Sequence, residues 1–198
     1  TMEGQTNAGA RAVTFAFNGG PGSSSVWLHL GGLGPRRAKM NDDGTQPKPP
    51  SSLMHNEYSI LHATDLVFVD PVATGFSRAA KDEKNDQFFG QSPDVESVGD
   101  FIRLWTTRHQ RWLSPKYLCG ESYGVFRAAG LADHLRGRYG LYLNGLIRVS
   151  GLTDFAPPPN TWYFFDHDQR DTLTLGGTLR LPLRAWTSAG LHYGSGFL

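Results

Sequence analysis

Tyr117-Leu118-Cys119-Gly120-Glu121-Ser122-Tyr123-Gly124-Val125 decides the fold. Residues of strand character run straight into a Gly-x-Ser-x-Gly pentapeptide, and an apolar helical period takes over immediately after it. The glycines matter because so tight a turn leaves no room for Cβ atoms on either side, and its strain holds the serine oxygen clear of the backbone. Ser122 would then lie at the N-terminus of the following helix, where free N–H groups and the helix dipole stabilise a developing oxyanion. Such a site suits acyl transfer with Ser122 as nucleophile. A glycine-rich turn whose serine only caps the helix fits the bare pentapeptide too; the flanking strand and helix favour the nucleophile.

Working outward, Ala12 to Phe17 is a short apolar and β-branched run that stops at Asn18-Gly19-Gly20-Pro21-Gly22, a strand entering a glycine-rich loop. Asn41 to Ser52 is polar and proline-rich without period, hence an exposed loop. Leu66-Val67-Phe68-Val69 has the continuous apolar pattern of a parallel strand covered on both faces. Ser92-Pro93-Asp94 supplies an N-cap, a proline at the first helical position and an acid near the positive end of the dipole. Val95, Val98, Phe101, Ile102 and Trp105 then form one apolar stripe. After the pentapeptide, Val125 to Leu135 reads as a helix with Val125, Ala128, Ala132 and Leu135 inward, and Leu146 to Val149 as a further strand. This alternation predicts an α/β domain with a mainly parallel sheet, flanking helices and right-handed crossovers.

Composition narrows the function classes. Of 198 residues, 39% are hydrophobic and 19% charged, an ordinary balance for a soluble globular domain. With 19 Lys+Arg against 18 Asp+Glu the net charge is +1, which gives no electrostatic footprint for nucleic acid or an anionic membrane. No apolar run reaches the length of a membrane span, and Thr1-Met2-Glu3-Gly4 lacks the basic start and apolar centre of a signal peptide. The single cysteine, Cys119, has no internal partner for a disulfide, which leaves the compartment open. No cofactor is implied. Asp166-His167-Asp168 reads as a solvated polar turn rather than a metal cluster.

Asn18-Gly19-Gly20-Pro21-Gly22-Ser23-Ser24-Ser25 sits where an α/β-hydrolase takes its second oxyanion N–H, although glycines and prolines also make ordinary turns. Together with Asp70-Pro71-Val72-Ala73-Thr74-Gly75-Phe76-Ser77 and Gly120 to Gly124, in this order, it resembles the serine carboxypeptidase family of α/β-hydrolases over residues 10–155. The resemblance implies release of C-terminal residues from peptides through an acyl-enzyme on Ser122. It also implies an oxyanion hole from the N–H groups of Gly20 and Tyr123, and capture of the substrate's terminal carboxylate by Asn18, the Gly19 N–H and Glu121. A carboxylate recognised by a carboxyl group requires one of the two to carry a proton. The Asp70 block is expected to be structural.

Three departures stand out. Ser23 occupies a position where many relatives have cysteine, no Asn-x-Ser/Thr sequon occurs, and Ala73 replaces a usual glycine, which puts the backbone of that loop in question. The first two features are similar to a bacterial-type branch, for which a secreted or periplasmic location is plausible. The triad acid and histidine are not assignable. His134 is expected on the surface of the helix leading away from the serine, and Asp154, His167 and His192 match no family block. Residues 1–155 are read as the N-terminal part of the hydrolase domain. Residues 156–198, without Lys or Glu, are read as a divergent, truncated or out-of-frame tail, so the 198 residues alone are expected to be feebly active. An esterase or acyltransferase of the same fold, and a non-catalytic carboxylate-binding protein, are the alternative readings.

Overall fold

The structure is a computed structural model and describes residues 9–151, together with the strand backbones at 172–180 and 186–194. The chain divides into two compact units, Thr1–Thr153 and Asp154–Leu198. The expectations for Asp154, Asp166, His167 and Asp168 fall outside the described residues, as does the side chain of His192.

In the first unit, strand β1 (Ala12–Phe17) leads through the glycine-rich loop into the one-turn helix α1 (Val26–Leu28). Strands β2 (Arg36–Ala38) and β3 (Leu53–His55) form a small antiparallel pair around the expected exposed loop. Strand β4 (Thr64–Phe68) follows, then helix α2 (Gln91–Arg108), strand β5 (Lys116–Glu121), helix α3 (Tyr123–Tyr139) and strand β6 (Gly145–Val149). The main sheet has the order β4-β1-β5-β6 and is parallel throughout, with Phe15 level with Val67 and Leu118, and Cys119 level with Ile147. In the second unit β7 (Thr172–Arg180) and β8 (Trp186–Gly194) pair antiparallel.

Strand alternation sorts the core onto two faces. Val13, Phe15, Phe17 and Leu118 meet Val95, Val98 and Ile102 of α2 and Ala128, Leu131 and Leu135 of α3. On the other face Ala16 and Cys119 pack under Leu28, with Leu33, Phe68 and Val149 beside them. Both long helices therefore brace one face of β1 and β5. Truncating Leu131, fully buried between α3 and the sheet, would cost about 2–5 kcal/mol.

Several expectations need correction. Helix α2 begins at Gln91 behind Gly90 rather than being capped by Ser92; Asp94 does lie in its first turn, as expected of a dipole acid, but is buried. Phe101 is 39% exposed, while Thr106 takes a buried place on the helix. In α3 Ala132 is only half-buried; Leu131 and, unexpectedly, Arg127 fill the inward face. Leu66, Val67 and Phe68 are half-buried because β4 is an outer strand of the described sheet, and its buried residues are the polar Thr64 and Asp65. His134 is not a surface residue: it is half-buried, with its ring edge-on to Tyr139 and against Gly99 of α2.

Candidate active site

The turn between β5 and α3 is strained as the pentapeptide requires. Ser122 has φ 53° and ψ −122°, a region that L-residues avoid, and it occupies the N-cap position without making a capping hydrogen bond through its side chain. Its hydroxyl is thus not spent on the helix, and the residue is exposed. Two backbone bonds hold the conformation: Ser122 N donates to Val149 O at 2.9 Å, and Val125 N donates to Ser122 O at 3.0 Å. A Cβ at position 120 would come within 2.1 Å of Gly124 O, so the turn closes only with glycine there.

The glycine-rich loop lies directly against this turn. A Cβ on Gly19 would sit 2.4 Å from Tyr123 N and 2.6 Å from Glu121 O, which means that the two chain segments touch backbone to backbone. Gly20, next in the chain, has φ +108° and begins the turn toward Ser23, whose N–H donates to Gly19 O at 3.0 Å. The Asp70 segment ties this loop down: Asp70 Oδ1 accepts from Ser25 N at 2.7 Å and from Ser24 Oγ at 3.1 Å, while Ser25 Oγ donates to Val69 O. Ala73 adopts φ 69°, the left-handed conformation in which glycine would be unstrained.

Asn18, Gly19 and Glu121 are brought together. Asn18 Oδ1 accepts from Leu28 N at 3.0 Å, which turns its Nδ2 toward Glu121 Oε2, also 3.0 Å away. The Gly19 N–H points at the same oxygen from 3.5 Å. Two donors thus converge on one carboxyl oxygen of the residue next to Ser122. The six residues singled out in the sequence, Asn18, Gly19, Gly20, Glu121, Ser122 and Tyr123, come from just two loops at the ends of adjacent strands.

Beneath these loops lies a pair that the sequence did not reveal. Arg127, 1% exposed, donates through Nε to Asp94 Oδ2 at 2.8 Å and Oδ1 at 3.1 Å, and through Nη1 to the Asn18 backbone oxygen at 2.8 Å. Its guanidinium carbon stands 5.4 Å from the Phe17 ring centre and 5.3 Å from that of Tyr123. Burial and then the charge and hydrogen bond of Asp94 push the Tyr123 phenol above its ordinary pKa. The available signal was position: Arg127 lies four residues after Tyr123 and four before Leu131, on the stripe that must face inward. His134 is twelve residues along α3 from Ser122, about 18 Å by helical rise, so it does not reach the serine.

A parallel sheet that presents a strained serine on a strand-to-helix turn, with a glycine loop from the neighbouring strand packed against it, is the architecture of an α/β-hydrolase. The family model described as serine carboxypeptidase matches residues 1–153, and the chain belongs to that family. Among its relatives, serine carboxypeptidase-like 21 of Arabidopsis thaliana is 27% identical over 84% of this chain and 34% of its own length. The pheromone-processing carboxypeptidase KEX1 of Arthroderma otae is 36% identical over 54% of this chain and 15% of its own. The crystal structure of Kex1(Δ)p, a prohormone-processing carboxypeptidase from Saccharomyces cerevisiae, superposes with a TM-score of 0.53 at 28% identity, covering 74% of this chain and 31% of that one. The chain spans about a third of the length of the plant relatives. Among the described residues, no helix is long and apolar enough to cross a membrane.

Proposed function

We propose that residues 1–155 are the nucleophile-bearing part of a serine carboxypeptidase acting on peptides with a free C-terminal carboxylate. Ser122 Oγ attacks the carbonyl of the last peptide bond. The C–N bond breaks as the proton from the serine hydroxyl passes to the leaving nitrogen, the C-terminal residue departs as the free amine, and water then attacks the ester, releasing the acyl group as an acid and returning a proton to Ser122 Oγ. The N–H groups of Gly20 and Tyr123 stabilise the oxyanion, while Asn18, the Gly19 N–H and Glu121 hold the terminal carboxylate. The observation that carries this reading is the convergence of Asn18 Nδ2 and Gly19 N on Glu121 Oε2, beside the strained serine. A glutamate on an ordinary surface turn has no reason to collect two such donors. With a substrate carboxylate beside it, the Glu121 carboxyl shares a proton with the ligand, because two ionised carboxylates in contact repel.

The test uses a fluorophosphonate probe and a pair of peptides that differ only in a free or amidated C-terminus. The probe should label Ser122, Ser122→Ala should abolish labelling, and the free acid should be bound in preference to the amide. Labelling at another serine that survives Ser122→Ala overturns the assignment. Labelling at Ser122 without any preference for the free acid overturns the carboxypeptidase reading in favour of an esterase or acyltransferase.

A further inference from the structure

The Asn18–Gly19 peptide is gripped from both sides. Its carbonyl oxygen accepts from Arg127 Nη1 at 2.8 Å, and its N–H points at Glu121 Oε2 from 3.5 Å. A trans peptide is planar, with C=O and N–H directed oppositely, so whatever fixes the oxygen also fixes where the N–H points. Arg127 is itself fixed. Asp94 takes its Nε with both carboxylate oxygens, and the rings of Phe17 and Tyr123 flank the guanidinium. Burying a charged pair brings little stability in itself compared with apolar side chains of similar size. Its placement against one particular peptide plane is what distinguishes it.

We propose that Arg127, oriented by Asp94, is a positioning residue for the terminal-carboxylate subsite: by holding the Asn18 carbonyl it sets the plane of the Asn18–Gly19 peptide and aims the Gly19 N–H at the ligand. The proposal rests on the carboxypeptidase reading above and extends it to residues that touch no substrate. Without the guanidinium the peptide loses the bond that holds its oxygen, and only the long 3.5 Å contact to Glu121 is left to set its plane. The free-acid ligand then loses an aimed donor, while an amidated ligand, which makes less use of that donor, loses little.

The experiment measures binding of an N-benzoyl dipeptide, as free acid and as C-terminal amide, to the full 198-residue chain by NMR titration, with the Gly19 amide as reporter. The parent is compared with the paired substitution Asp94→Leu and Arg127→Met, which removes both charges together. It is also compared with Arg127→Lys, which keeps the charge beside Asp94 but lacks the planar fork that reaches two partners at once. In each variant the preference for acid over amide should fall about 10-fold, the equivalent of one well-aimed hydrogen bond, while affinity for the amide stays within about 2-fold. The unliganded Gly19 amide resonance should also shift. If the parent prefers the acid and a folded variant keeps that preference, the positioning role is overturned and the carboxylate subsite stands. If the parent itself shows no preference, the subsite reading fails, and the proposal fails with it.

Discussion

Strand β1 has a buried arginine–carboxylate cluster at each end, and the two are built to different ends. At its start Asp65 is held between Arg11 Nε at 2.8 Å and Arg111 Nη1 at 2.7 Å, while Arg111 also donates to Ser114 Oγ and to the Arg11 carbonyl. Lys116 beside it donates to the Trp112 and Ser114 carbonyls, and burial followed by the nearby Arg111 charge holds its pKa below the ordinary value. Every partner here lies in the first residues of a strand or in the turn leading into one. At the far end, Arg127 and Asp94 grip a glycine loop lying against a serine at φ 53°. The first cluster locks regular backbone together; the second holds irregular backbone in one orientation. Comparable burial and similar distances therefore say nothing about role until one asks which backbone group the arginine holds.

Substitutions at the two ends should separate stability from chemistry. Asp65→Leu leaves Arg11 and Arg111 without their counter-charge and should cost about 3–5 kcal/mol in urea unfolding, with the rate of Ser122 labelling per folded molecule unchanged. A fall in labelling rate in the folded fraction would erase the distinction. At the site end, Gly19→Ala forces a Cβ to within 2.4 Å of Tyr123 N, prising the glycine loop from the serine turn. Labelling of Ser122 should drop on the order of 100-fold, as when an oxyanion donor is lost.

Acid should strike the structural cluster. Burial works to raise the Asp65 pKa, but the hydrogen bonds and charges of Arg11 and Arg111 outweigh it and hold the carboxyl below the ordinary range. Its contribution is accordingly complete above the unfolded-state value of about 3.9 and is lost as pH falls through the lower folded-state value. Unfolding free energy measured from pH 5 downward should decline less steeply in Asp65→Asn than in the parent. The smallest expected effect belongs to Ala73. Relief of its left-handed backbone by glycine is worth about 1–2 kcal/mol, against about 0.5–1 kcal/mol for the added flexibility of the unfolded chain. Ala73→Gly should therefore raise stability by about 0.5 kcal/mol without changing Ser122 labelling.

Local pattern made the site's two loops legible and left their support hidden. Gly120 to Gly124 could be read because strand, turn and helix signals coincide within a few residues, and β1 because its apolar run stops at glycines. Asp94 reads as a dipole acid and no more, because its partner Arg127 lies 33 positions further on, a separation that no local period reports. The same blindness turned His134 into a surface residue. Its neighbour Gly99 meets it only when α2 packs on α3, and its Nε2 is buried without a hydrogen-bond partner. Gly90, with φ 95°, sets the start of α2 at Gln91, ahead of the serine and proline whose types mark a helix start in the sequence. Leu146 and Ile147, at 42% and 37% exposed, lie in β6, the other outer strand of the described sheet.

The chain's single cysteine lies in the strand that delivers the serine. Cys119 is fully buried between Ala16 and Ile147, and burial pushes its thiol up to about 11. At pH 8 only about one molecule in a thousand would carry the reactive thiolate, and steric closure shields even that one. A disulfide reagent can then modify the protein only during the moments when β5 parts from its neighbours. With enough reagent to capture every opening the modification rate becomes a clock, converting a spectrophotometer trace into the lifetime of the strand pairing on which the nucleophile's strained geometry depends.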